Sequence, residues 1–313
     1  MTETRLDILT LFAGVVLLMI ALTLFGEYMR QRAPANAPRP VVETYLTRVN
    51  SWWGMVTLLA FAALAGQFWI TLLFAFASFA ALREFLTYAS KRQADHLSLA
   101  LAFFAFLPLQ YLFVALGWIQ MFTVFIPVYA FLLLPIVSAL RGDPDKFLAR
   151  VAGTQWGLMI CVFCLSHVPA LLTLPMPTGS DRAILMIVFL VMVVQLGDLI
   201  EYFAGRQLGE HKLAPSLSPK TAEGVVVAAI GVFVIGALLA WITPFSALGA
   251  AIMALMAWGA GWMGNLVFAA IKRDRGVKDW SHLIPGQGGF LEQLDSVIFA
   301  APLFFHVSLL VLE

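Results

Sequence analysis

Between Gly264 and Asp295 the chain carries four cations, then a glycine-rich turn, then two carboxylates. Lys272, Arg273, Arg275 and Lys278 come first, Pro285-Gly286-Gln287-Gly288-Gly289 makes the turn, and Glu292 and Asp295 follow at i, i+3 on one helix face. Carboxylates so placed suit Mg²⁺, and Lys and Arg suit the phosphate oxygens of a metal-bound nucleotide. Upstream, Asn265, Ala269 and Lys272 share the face of the helix that leads into the turn. A plainer reading accounts for the same residues. Cations at a span end bind anionic lipid, and acids near a helix start offset the helix dipole. Composition alone leaves both open.

A second polar segment runs from Gln195 to Gly224. Asp198, Tyr202 and Arg206 lie at i, i+4, i+8 on one face, with Glu201 beside them. Ionisable groups at a span end must face the bundle interior or water. Gly205 and Gly209 loosen the chain, Pro215 and Pro219 stop helix, and Ser218-Pro219 reads as an N-cap with a first-turn proline. Ser218, Lys220 and Thr221 at a helix start offer hydroxyls, a cation and backbone N–H groups to a phosphate. An ordinary capped helix would look the same.

The elements that position these residues are set by composition. Of 313 residues, 61% are hydrophobic and 12% charged, with mean hydropathy +0.91. Soluble domains carry about 25% charged residues, so a soluble globular enzyme is excluded. Disorder is excluded by 26 Phe and 9 Trp. Two Cys make no disulfide framework, and a net charge of +1 gives no reason to expect nucleic acid. An all-α polytopic membrane protein remains, about ten transmembrane helices with both termini outside. A span needs roughly 20 apolar residues, and the candidates are 8–27, 51–66, 68–87, 98–116, 118–139, 152–173, 183–203, 223–242, 246–271 and 295–312. With the N-terminus outside, 17 of the 19 Lys and Arg fall in cytoplasmic loops, all but Arg5 and Arg182. Basic residues follow the first span rather than precede it, so it reads as a retained signal-anchor. Arg32–Pro40 is a Pro/Ala linker.

Residues 1–175 read as a transmembrane scaffold and 176–313 as the catalytic region, with motif loops 204–222 and 272–294. In the scaffold, Arg83 and Glu84 at the end of the third span read as an interfacial anchor pair. Cys161 and Cys164 with His167 suggest a metal or redox motif. They sit in an apolar span without further ligands, so ordinary buried cysteines are expected.

The two polar segments together resemble the phosphatidate cytidylyltransferase (CDP-diacylglycerol synthase) family. Its signature, S-x-x-K-R-x4-K-D followed by P-x-H-G-G-x-x-D-R-x-D, is similar to Ala269-Ala270-Ile271-Lys272-Arg273, then Lys278-Asp279, then Pro285 through Asp295, without a gap. The family's upstream segment is matched by Asp198, Tyr202, Gly205, Arg206, Gly209, His211, Lys212, Leu213, Ala214, Pro215, Ser218, Pro219, Lys220, Thr221, Glu223 and Gly224. The departures are Asn265 and Ala269 for an acid and a hydroxyl, Gln287 for His, Glu292-Gln293-Leu294-Asp295 for D-R-x-D, and one lysine fewer before Thr221. They mark a divergent branch.

The resemblance implies that CTP and phosphatidate, or a related lipid phosphate, give CDP-diacylglycerol and pyrophosphate, as in phospholipid biosynthesis. It implies catalytic roles for Lys272, Arg273, Lys278, Asp279 and Asp295. Substrate binding falls to Arg206, Lys212, Ser218, Lys220, Thr221, Glu223, Gly288 and Gly289. Mg²⁺ would sit on Asp295, Glu292, Asp198 and Asn265, with a second cation left open. The expected setting is a bacterial inner membrane with the site facing the cytoplasm, among membrane lipids and with a homodimer left open. The departures permit two alternatives: another lipid phosphate as acceptor, or a catalytically silent relative that binds lipid or nucleotide.

Overall fold

A computed structural model describes residues 2–32, 40–89, 92–176, 182–281, 283 and 288–312. Among them the chain is helical almost throughout, and its β structure is isolated bridging such as that between Lys212 and Thr221. The helices form ten rods: α1 (Thr2–Arg32), α2 (Pro40–Ala65), α3 (Gln67–Thr87), α4 (Gln93–Ala115), α5 (Ile119–Ala139), α6 (Phe147–Thr173), α7 (Ala183–Leu208), α8 (Ala222–Leu238), α9 (Ala247–Arg275) and α10 (Phe290–Leu312). Eight of them are long and apolar enough to cross a membrane. The other two are α8, with 17 residues, and α2, whose first half is polar from Glu43 to Ser51. The chain is thus an all-α polytopic membrane protein. Ten crossings and their sidedness stay proposals. Most of the expected Pro/Ala linker lies outside the described residues, as do Lys91 and Pro285 through Gln287.

Turns fall where glycine frees the backbone. Gly66 at φ 111° separates α2 from α3, and Phe61 and Trp69 meet edge to face across it at 6.5 Å. In α4, α5 and α6 the helical ladder widens to π geometry over Ala102–Phe106, Phe125–Ala130 and Met159–Cys164. Pro108, Pro127 and Pro169 lie in or beyond these stretches, and a proline lacks the N–H that the α ladder requires. Cys161 is buried in the core on the third stretch, and both cysteines are free thiols.

Five helices start five or more residues earlier than their hydropathy predicts: α1 at Thr2 instead of 8, α2 at Pro40 instead of 51, α4 at Gln93 instead of 98, α6 at Phe147 instead of 152, and α10 at Phe290 instead of 295. In the last three, the polar groups of the added turn are answered. For α4 and α6 the partners are each other. Arg150 Nε lies 3.0 Å from Asp95 Oδ2, with side chains only 1% and 6% exposed. Arg150 Nη2 also donates to the Asp143 carbonyl at 3.0 Å, and Nη1 donates to that of Asp145. Arg92 pairs with both Asp143 and Asp145. Ser138 on α5 donates to Asp95 Oδ1 at 3.4 Å.

Lipid gives little hydrophobic drive between helices, so close packing and internal hydrogen bonds hold the bundle. The α7–α8 pair shows the first: a Cβ on Gly224 would lie 2.8 Å from the Gly205 Cα, so the two backbones touch. The last helix, α10, packs against α3, α6, α7 and α9. It therefore joins the first half of the chain to the second.

Candidate active site

The ends of α7 and α9 and the starts of α8 and α10 meet at one end of the bundle. Asp198 comes from α7, Asn265 from α9, Lys220 from the residues before α8, and Asp295 and Ser296 from the second turn of α10. Ser296 Oγ donates to Asp198 Oδ2 and lies 3.0 Å from Asn265 Oδ1. The Asn265 amide satisfies its neighbours best with its oxygen towards Lys220 Nζ at 3.2 Å. Its nitrogen then donates to Asp295 Oδ1 and Oδ2 at 3.0 and 3.1 Å. Lys220 Nζ is also 3.0 Å from Glu201 Oε2 and sits 6.0 Å above the Trp262 ring. Asp198 Oδ1 is buried without a hydrogen bond, near the Trp258 indole N–H, which is equally unbonded.

Two carboxylates, one of them with an unanswered buried oxygen, an amide and a hydroxyl form an oxygen set that fits a hard divalent cation. Among the described residues no three His, Cys, Asp or Glu side chains converge on such a position. Asp198 and Asp295 would be its charged part.

Glu292 belongs to a neighbouring group. Its carboxylate pairs with Lys272 Nζ at 3.1 Å and accepts the backbone N–H of Trp280 and, at 2.7 Å, that of Gly289. It thereby ties the end of α9 and the following loop to the start of α10. Arg273 and Lys278 are exposed beside it. With Lys272, Leu217, Ala269, Gly276 and Val277 they line a cavity of about 590 Å³. Asp279, half-buried, follows Lys278 in that loop.

The 204–222 segment folds differently from the expectation. Thr221 is the N-cap of α8 and accepts from the Gly224 N–H at 3.3 Å, whereas Ser218 Oγ faces the Lys220 N–H at 3.4 Å. The expected cap at Ser218 is corrected because residues 211–213 pair with 220–222. The Leu213 N–H donates to the Lys220 carbonyl at 3.1 Å and that of Ala222 to the His211 carbonyl at 2.9 Å, so the chain stays extended up to Thr221. Glu223 closes the loop by accepting from His211 Nδ1 at 2.6 Å and from the Glu210 and His211 N–H groups. Arg206 and Lys212 are exposed. Arg206 donates to the Tyr202 hydroxyl at 3.2 Å, and Lys212 bridges to Thr221.

The anchor-pair reading of residues 83 and 84 also needs correction. Arg83 is exposed, but Glu84 is only 4% exposed. It accepts from Ser281 Oγ at 2.7 Å, from the Phe290 N–H at 3.0 Å and from the Leu291 N–H at 2.9 Å. A lone acid at a span end gives no sign in the sequence of a partner some two hundred residues away. Ser296 was also missed, although its place beside Asp295 could have pointed to it, whereas Glu201 stood out on the Asp198 helix.

The cytidylyltransferase family model matches residues 46–311. The chain is 37% identical over 303 residues to the uncharacterized protein YnbB of Escherichia coli (strain K12), covering 95% of each chain. It is 33% identical over 138 residues to a phosphatidate cytidylyltransferase of Synechocystis, covering 44% of this chain and 47% of that protein. A phosphatidate cytidylyltransferase of Haemophilus influenzae is 34% identical over 143 residues, covering 42% of this chain and 48% of that protein. The matches to these two enzymes thus span about half their length. The family model covers most of the chain, and this polytopic membrane protein belongs to the cytidylyltransferase family.

Proposed function

We propose that the protein transfers a cytidylyl group from CTP to phosphatidate, giving CDP-diacylglycerol and pyrophosphate. The observation that carries this reading is the meeting of Asp198, Asn265 and Asp295 beside a cavity lined by Lys272, Arg273 and Lys278. The names of the relatives support the choice of lipid.

An oxygen of the lipid phosphate attacks the α-phosphorus of CTP, the bond from that phosphorus to the β-phosphate oxygen breaks, and pyrophosphate leaves in line. The attacking phosphate is already ionised near neutral pH, so no strong general base is required. The difficulty is charge, because two anions must approach. Lys272, Arg273 and Lys278 offset it at the cavity wall, where fixed cations in a partly dry site act more strongly than in water. Asp198 and Asp295, with the Asn265 and Ser296 oxygens, would hold Mg²⁺, which draws charge from the phosphate oxygens. Lys220, between Glu201 and Asn265, fixes the amide that donates to Asp295. Glu292 keeps Lys272 and the Gly288-Gly289 turn in place. The proposed membrane is the bacterial inner membrane, where CTP arrives from the cytoplasm and the lipid from the bilayer.

The test is pyrophosphate release by the detergent-purified protein with CTP, Mg²⁺ and phosphatidate. Release that requires both substrates is expected. Release only with a different lipid phosphate would redirect the acceptor. No release from any, by a folded protein that binds CTP, would leave a silent relative.

A further inference from the structure

We infer that Glu84 is a positioning residue through which the N-terminal half of the chain sets the geometry of the site proposed above. Its carboxylate is buried at the C-terminal end of α3 and takes three donors, Ser281 Oγ and the first two N–H groups of α10. Helix starts leave such N–H groups without partners, and a carboxylate there is favoured by the dipole as well. The fit depends on Gly289. A Cβ at that position would lie 2.3 Å from Glu84 Oε2, so only glycine lets the carboxylate reach the helix start.

The same contact gathers the loop after α9. Trp280, one residue before Ser281, is buried between Phe85 and Tyr88 of α3, at ring distances of 5.5 and 5.9 Å, and Phe268 of α9 at 6.2 Å. Lys272 Nζ lies 5.9 Å above its ring. Asp295 stands one turn beyond Leu291 on the helix that Glu84 caps. Fixing the first turn of α10 thus fixes the height and rotation of Asp295 against Asp198. A carboxylate displaced by about 1 Å in such a site loses much of its effect.

The test uses the full chain with Glu84→Gln, which keeps shape and burial, Glu84→Asp and Ser281→Ala, with Arg83→Ala as the exposed neighbouring control. Hydrogen–deuterium exchange over residues 290–296 needs no turnover. It is expected to speed up about tenfold in Glu84→Gln while residues 100–115 stay unchanged. Where the wild type releases pyrophosphate, Glu84→Gln is expected to lose at least about tenfold in kcat with KM for CTP within about twofold. Glu84→Asp should recover part of the loss, Ser281→Ala should lose less, and Arg83→Ala should match wild type. Unchanged exchange over 290–296 in Glu84→Gln overturns the inference, and so does a faster exchange with wild-type kcat. A wild type that never releases pyrophosphate would instead overturn the proposed reaction, and the exchange measurement would then decide the role of Glu84 alone.

Discussion

Two buried acidic groups sit in the two halves of this protein, and they are balanced in opposite ways. In the first half, Arg150 answers Asp95 with an ion pair and spends further donors on the carbonyls of Asp143 and Asp145. The Asp143 carboxyl is held below the usual carboxylate range, first by the Asp145 N–H and then by Arg150 and Arg92. That group is closed. In the second half, Asp198 and Asp295 share the Ser296 hydroxyl, the Asn265 amide donates to Asp295, and one Asp198 oxygen has no hydrogen bond. Lys220, a cation beside the pair, is shared with Glu201, and Lys272 with Glu292. The first, a buried acid met by a buried guanidinium, joins helices, whereas the excess of carboxylate in the second suits the cation proposed for it.

The comparison can be broken at several points. The largest expected effect is on chemistry: Asp295→Asn should reduce pyrophosphate release by about 10²- to 10³-fold while membrane insertion is kept. Wild-type rates in that variant would remove Asp295 from the site. Next comes stability in the scaffold. Arg150→Ala leaves Asp95 buried and alone, and should cost about 3–5 kcal/mol, read as a lower thermal midpoint. The double change Asp95→Leu with Arg150→Met should regain most of that loss, since an apolar pair needs no neutralisation. A sharper probe is Asn265→Asp, which gives the site a third carboxylate. It should lower the half-saturating Mg²⁺ concentration about tenfold and destabilise the protein when Mg²⁺ is absent. An unchanged Mg²⁺ dependence would count against the oxygen set described above. The smallest effect belongs to the loop. Thr221→Ala should cost about 1 kcal/mol of stability by removing the cap of α8, and Ser218→Ala should cost less. The reverse order would restore the cap at Ser218.

Much of this was legible in the residues themselves. Hydropathy located all ten rods to within a few residues at most ends, because an apolar run long enough for the bilayer has little choice but helix. Asp198 was marked as a costly group at a span end, Lys220 as a cation at a helix start, and Asp295 as one of two carboxylates on a helix face. Several of the misses share one cause. The early starts of α4, α6 and α10, and the role of Glu84, depend on pairing between residues far apart in sequence, and a hydropathy window sees only neighbours. Asp95 and Arg150 look like ordinary loop charges until the fold brings them to 3.0 Å. Glu292 and Asp295, one turn apart on the same face, looked like a pair of equals. The loop before α10 turns the first towards Lys272 and two backbone N–H groups and leaves the second with Asn265.

The most direct test sets the two acidic groups against each other. Pyrophosphate release per folded molecule would be measured with CTP, Mg²⁺ and phosphatidate for Asp295→Asn and for the double variant Asp95→Leu with Arg150→Met. The account predicts that the first is almost inactive and the second keeps a rate close to wild type. An active Asp295→Asn protein beside an inactive, well-folded double variant would contradict it, and would move the reacting centre into the half read as scaffold.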